Sequence, residues 1–234
     1  MKVVILQPSY IPWRGYFEQI YKADIFVFYD DVQYDKRGWR NRNQIKGHNK
    51  KQWLTIPVSS KGAQTKKIAI NQIPIVWDTS WNQTHLKTLQ HAYQKAPYFK
   101  HYTNLLEKFY NRHDKYLSDF TIDFTIALAH EIGIEKTRFI RSSELHGITG
   151  QKTERLISIL NSIGAKQYIS GPSARDYIKD ISFNEAGISL EYLDYNYPEY
   201  PQLSPPFDPS LSIIDLLMMT GPDALNYIIQ EKNE

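Results

Sequence analysis

The chain contains no cysteine, which excludes disulfides, thiolate catalysis and cysteine-ligated zinc or iron together. It also lacks an apolar run approaching the roughly 18 residues of a membrane helix, so membrane insertion is not expected. Its first residues offer Lys2 and a strand-length apolar stretch, without the long apolar core and cleavage site of a secretory leader; a cytoplasmic location is the expectation. No G-x-G-x-x-G occurs. "GQKT" lacks the upstream glycine of a P-loop, and "GPSAR" lacks the second glycine of a nucleophile elbow. The seven histidines show no ligand spacing, so no metal site is expected. There is no internal repeat and no linker long enough to split 234 residues, and a single α/β domain spanning 1–234 is expected.

What the chain does have is an uneven charge distribution. The net charge is only +3, yet Lys36 to Lys67 holds ten Lys or Arg and no Asp or Glu. Such a stretch is either a solvated basic face or a surface for an anionic partner, such as nucleotide phosphates, a phosphopantetheine carrier or nucleic acid. Interleaved Trp39, Trp53, Asn41 and Asn43 favour a binding surface.

The apolar pattern predicts a strand at Lys2 to Leu6, a helix from about Arg14 to Lys22 and a second buried strand in "DIFVFYDD", a βαβ start. An insert over about 32–75 follows, in which "QWLTIPV" and "KKIAINQI" read as the two strands of a hairpin. Helical periodicity over Ser80 to Gln94, Tyr98 to Asn111 and Lys115 to Ile132 gives a helical layer at about 79–132. The remainder alternates: strand "KTRFIR", helix Lys152 to Ile163, strand "KQYIS", strand "ISLEYL", then closing helices over Leu211 to Met219 and Pro222 to Gln230. Gly133 and Gly164 stand where a helix ends in the left-handed region just before a strand. Alternation of this kind implies a Rossmann-like, mostly parallel sheet with covered faces.

Open α/β sheets bind ligands beyond the carboxyl ends of their strands, and three unusual segments fall there: "QPSYIPWRGY", "YDDVQYDKRGWRNRN" and "SGPSARDY". In the first, Gly15 at a helix start would let backbone approach a phosphate, with Gln7, Tyr10, Trp13 and Tyr16 beside it. In the second, Asp30 and Asp31 end a strand, where a carboxylate can hold Mg²⁺, bind an amine or act as a base. Arg37, Arg40, Arg42 and Asn43 follow and could answer a diphosphate. In the third, Ser170, Gly171 and Ser173 offer donors at a helix start, and Arg175 could clamp phosphate. His85, four residues after Trp81 on one helix face, is a second candidate base. Asp215 lies inside an apolar helix and must find a partner if buried, a structural role.

"QPSYIPWRGYFEQIYKADIFVFYDDVQYDKRGWRNRNQIK", "WLTIPV", "YISGPSARDY" and "LSIIDLLMMTG" resemble the WbqC-like family of bacterial proteins. The resemblance implies a place in O-antigen or lipopolysaccharide biosynthesis clusters and a transferase role, moving a glycyl or other aminoacyl group onto an amino sugar. At fold level the chain also resembles the nucleotidylyltransferase and pantothenate-synthetase class, but "WRGY" at residues 13–16 stands in place of an H-x-G-H element, which puts that class's ATP chemistry in doubt. The expected function is therefore transfer of an aminoacyl, first of all glycyl, or related acyl group to the amine of a nucleotide-activated sugar, with Asp31 or His85 as base. The rivals are an ATP-dependent nucleotidyltransferase or amide ligase, and a non-catalytic nucleotide-sugar or RNA-binding module. The expected partner is a nucleotide-sugar or other phosphorylated small molecule, with an acyl carrier or coenzyme A as donor and nucleic acid disfavoured. A nucleotide and Mg²⁺ remain open as cofactors.

Overall fold

The computed structural model describes residues 1–47, 50–176 and 180–229. Among them five strands form one parallel sheet: β1 (Lys2–Leu6), β2 (Ile25–Phe28), β5 (Arg138–Arg141), β6 (Gln167–Ser170) and β7 (Ser189–Tyr192). Their order, β5-β2-β1-β6-β7, is the 3-2-1-4-5 arrangement of a Rossmann-like sheet, and the chain reverses its direction of winding between β1 and β6. The two central strands carry side chains into cores on both faces. Val4, Phe26 and Phe28 join one cluster and Val3, Ile5, Ile25 and Val27 the other, which is why these strands read as unbroken apolar runs.

Helix α1 (Arg14–Lys22) has the expected bounds and returns the chain from β1 to β2. The helical layer comprises α2 (Trp81–Tyr93), α3 (Phe99–Tyr110) and α4 (Leu117–Glu131), each within two residues of the periodicity. Helix α5 (Thr153–Ser162) precedes β6, and Gly133 and Gly164 adopt φ of +89° and +70°. A hydrophobic side chain at either position would strain the turn into the next strand.

The insert differs from its expected form. It holds an antiparallel hairpin, but β4 (Lys51–Thr55) pairs with β3 (Arg42–Lys46), a polar stretch, and not with "KKIAINQI". Asn43 and Lys46 are buried in β3 because polar groups of distant segments bond them, and Ile45 between them joins the hydrophobic core. "KKIAINQI" forms a single bridge, Ala69 to Gln33, and a 3₁₀ turn at Ile70–Gln72 that points Ile70 and Ile73 into the core. A further difference follows β6. The expected helix start is a 3₁₀ turn, Pro172–Asp176, and α6 (Asp180–Glu185) comes later; Tyr177 lies outside the described residues. At the carboxyl end, α7 (Ile213–Thr220) is capped by the Ser212 hydroxyl, which accepts from the Ile214 N–H. The last expected helix is instead a 3₁₀ segment, Gly221–Tyr227, and Gln230 lies outside the described residues. No helix among the described residues is long and apolar enough to cross a membrane.

Candidate functional site

A cleft of about 1100 Å³ opens at the switch point between β1 and β6. Its walls come from the ends of β1 and β6, α1, the Trp39–Arg40 segment, the first turn of α5 and Tyr195. Sequence reading located the three loops here but could not tell which side chains turn towards the cleft.

The loop after β1 divides between core and cleft. Gln7, Trp13 and Tyr16 line the cleft, whereas Tyr10 is fully buried. The Tyr10 hydroxyl lies 2.9 Å from Nδ1 of His85 and bonds the Tyr110 hydroxyl. Ile11 takes φ of +37°, a costly conformation for a β-branched residue. Its carbonyl and that of Tyr10 are held by Asn43 Nδ2, at 2.9 and 3.1 Å. The following Pro12 carbonyl accepts from the Ile213 N–H, and the Ser212 N–H donates to the Gln44 carbonyl, so loop, hairpin and α7 are laced together. Asn43 is thus a strut of the loop that also faces the cleft.

Gly15 makes room for the Trp13 ring, since a Cβ there would lie 2.4 Å from it, and Gly15 is not among the residues that line the cleft. Gly171 does the same for Tyr195, whose hydroxyl would meet a Cβ at 2.7 Å. The two glycines let aromatic rings form the walls. Trp13 meets Tyr195 edge-on, and the Tyr195 hydroxyl accepts from Gln19 Nε2 at 2.8 Å.

Arg40 dominates the cleft's electrostatics. Its Nη1 donates to the carbonyls of Gln7 and Pro8 at 3.0 and 3.1 Å, and among the described residues no carboxylate forms an ion pair with it. Burial lowers its pKa from the ordinary value, an effect that Tyr16 and Asp35 oppose; a guanidinium nevertheless stays charged. The other charged side chain on the walls is Lys152, and no carboxylate lines the cleft among the described residues.

The remaining expected residues scatter. His85 sits in the core among Tyr10, Trp81 and Tyr110 and does not line the cleft; burial pushes its pKa down to about 4. Asp30 is fully buried and accepts from the Ser143 N–H and hydroxyl at 3.1 and 2.9 Å, and burial raises its pKa. It anchors the turn after β5. Asp31 accepts from the Ser142 hydroxyl at 2.6 Å and pairs with Arg155 at 2.5 Å, two residues after Tyr29, which lines the cleft. Arg37 lines a separate cavity of about 730 Å³ with Lys36 and Lys61, because the turn at Asp35 leads its side chain away. Arg42 donates to the Arg37 carbonyl and lies over the Trp53 ring. In the third loop Ser173 lines the cleft, Ser170 is buried, and Arg175 is exposed and lies over the Tyr192 ring. Sequence reading missed Gln19, Tyr29, Lys152, Tyr168 and Tyr195 as lining residues; only the Tyr-rich segment after β7 carried a signal.

The fold and cleft define the chain as a Rossmann-like α/β protein with a cationic, aromatic-walled switch-point site. A model of the WbqC-like protein family matches residues 7–227, and the chain belongs to that family. It is 39% identical over 230 residues to the uncharacterized protein Rv1507c of Mycobacterium tuberculosis (strain ATCC 25618 / H37Rv), with 97% of each chain covered. No solved structure matches it.

Proposed function

We propose that the chain binds a nucleotide-activated amino sugar in the switch-point cleft and transfers an aminoacyl group, glycyl first, to the sugar's amine, as a step in surface-polysaccharide synthesis. The observation that carries the reading is Arg40. A guanidinium fixed on two carbonyls, unpaired with any carboxylate among the described residues and facing a roomy cleft, is suited to a phosphate or diphosphate. The aromatic walls suit the flat or ring-shaped parts of such a substrate.

In the transfer the amine nitrogen attacks the acyl carbonyl carbon of a pre-activated donor, a thioester or ester, and the bond to the donor's sulfur or oxygen breaks. Asp31, two residues past the cleft-lining Tyr29, is assigned as the acceptor of the amine's proton, which requires it to leave its pair with Arg155, and Arg40 and Lys152 hold the acceptor's phosphates. The nearest rival is an acyl-adenylate-forming ligase. It is disfavoured because Trp13 and Tyr16, the residues at the H-x-G-H positions, carry no charge; the Tyr16 hydroxyl donates to the Gln7 carbonyl.

A thermal-shift panel of amino-sugar nucleotides, ATP and coenzyme A identifies the ligands, since a ligand at about 100 times its Kd stabilises by roughly 2.7 kcal/mol. Mass spectrometry then follows addition of one glycyl unit to the amino sugar from glycyl thioesters. Asp31→Asn is expected to slow that transfer by about 10² to 10⁴. Amino-acid-dependent exchange of labelled pyrophosphate into ATP by the purified protein would overturn the reading in favour of the ligase.

A further inference from the structure

The five tryptophans of the chain are not treated alike by the fold. Trp81 is buried, while Trp13 and Trp77 are half-buried. Trp39 and Trp53 leave 46% and 45% of their surface exposed, although burial would stabilise each by roughly 25 cal/mol per Å² covered. They stack on one another, with ring centroids 5.5 Å apart and planes 25° from parallel. The Arg42 guanidinium lies 4.9 Å from the Trp53 ring centre. Trp39 stands at the start of the hairpin insert, next to Arg40, and both line the switch-point cleft.

A single exposed aromatic residue is ordinary. Here two large rings are pre-stacked beside a cleft whose charged lining is cationic, and Arg42 adds a guanidinium over Trp53. Trp53 stacks on the Trp39 ring and is itself covered by Arg42, so a second planar ring can stack on Trp39 without ordering it first. In a nucleoside diphosphate one ribose separates the base from the diphosphate. Two adjacent side chains on one wall, a flat ring and a guanidinium, match that division.

We propose that the Trp39–Trp53 pair is the base-stacking platform of the cleft, with the nucleobase on Trp39 and its diphosphate on Arg40; this rests on the reading of the cleft as a nucleotide-sugar site. The hairpin insert then recognises the nucleotide handle, with Lys152 also on the diphosphate, and the sugar extends towards Tyr29 and Tyr168. Base stacking on an aromatic side chain is tolerant of base identity, so the platform supplies affinity for nucleotides as a class.

The test is calorimetric titration of the wild type, Trp39→Ala and Trp39→Phe with the common nucleoside diphosphates, inorganic pyrophosphate and N-acetylglucosamine 1-phosphate. For the preferred nucleoside diphosphate, Trp39→Ala is expected to weaken binding about tenfold or more, and Trp39→Phe to retain most of it. Pyrophosphate should change less than about twofold in either variant, because its contacts are to Arg40. Circular dichroism and the melting temperature confirm that the variants are folded; the ring packs at the surface and its loss opens no core cavity. If the folded Trp39→Ala protein binds nucleoside diphosphate as the wild type does, or loses pyrophosphate equally, the platform assignment is overturned while the cleft reading stands. If the wild type binds the sugar phosphate or pyrophosphate as tightly as any nucleoside diphosphate, the platform is again overturned. Wild type that binds none of these probes overturns both proposals.

Discussion

Asp215 and Arg40 are both charges set inside the protein without an opposite charge in contact among the described residues, and the fold treats them in opposite ways. Asp215 is completely buried. Its two oxygens accept from the Tyr93 and Tyr200 hydroxyls, each at 2.8 Å. Lys46 adds attraction from a distance while donating to Gln202 and the Pro206 carbonyl. Burial still raises the Asp215 pKa, so the site is satisfied but costly, and it ties α2, the hairpin and the 200–206 segment together. Arg40 is anchored by one nitrogen only, and its Nε finds no partner. A polar group enclosed by donors holds elements together, whereas one anchored on a single side and open on the other is placed to hold something else.

The largest expected effect belongs to the enclosed charge. Asp215→Ala leaves two buried tyrosine hydroxyls without an acceptor, and urea unfolding is expected to register a loss of about 3 to 5 kcal/mol. Asp215→Asn keeps one acceptor and should lose less than half of that. A loss below about 1 kcal/mol in the alanine variant would erase the contrast with Arg40.

Next in size is the acid response of His85, which belongs with the enclosed groups. Its folded pKa lies near 4, below the ordinary value of about 6.5, because the buried ring disfavours charge. The unfolded chain therefore takes up a proton first as pH falls. The stabilisation is fully present above about pH 6.5 and is lost as pH drops towards 4, by about 3 kcal/mol. His85→Gln should lack that component, so the two proteins' stabilities converge on acidification. Parallel curves from pH 7 to 4.5 would place His85 in a solvated setting.

Arg40→Ala probes the open charge. Its melting temperature should stay near that of the wild type, while calorimetry with the preferred phosphorylated ligand shows a loss of about 1.5 to 3 kcal/mol. A large stability loss with unchanged affinity would make Arg40 a second Asp215.

The smallest effect is expected at Arg175, which lies over Tyr192 and does not line the cleft. Arg175→Ala should alter ligand affinity less than about twofold in the same titration. A tenfold loss would mean that the third loop closes over the ligand.

Local chemistry made much of the fold legible. The periods of 3.6 and 2, the left-handed glycines at 133 and 164 and the proline-rich turn after β1 determine helices and strands from neighbours within a few residues, and the strands of the parallel sheet and helices α1 to α5 appear as read. Their alternation also implied the parallel sheet and hence the end of it where a ligand site forms. Tertiary structure alone decided the rest, because burial depends on partners far along the chain. Tyr10 and Trp13 sit three residues apart in one loop. Tyr10 turns inwards because His85 and Tyr110 arrive 75 and 100 residues later, and Trp13 lines the cleft because Tyr195 meets it there. The polar "RNQIK" became a strand because the Tyr10 and Ile11 carbonyls and the Pro206 carbonyl accept from its Asn43 and Lys46. The same sequence spacing that places Arg37, Arg40 and Arg42 together sends one to a second cavity, one into the cleft and one onto Trp53, since an irregular loop has no fixed period to carry side-chain direction.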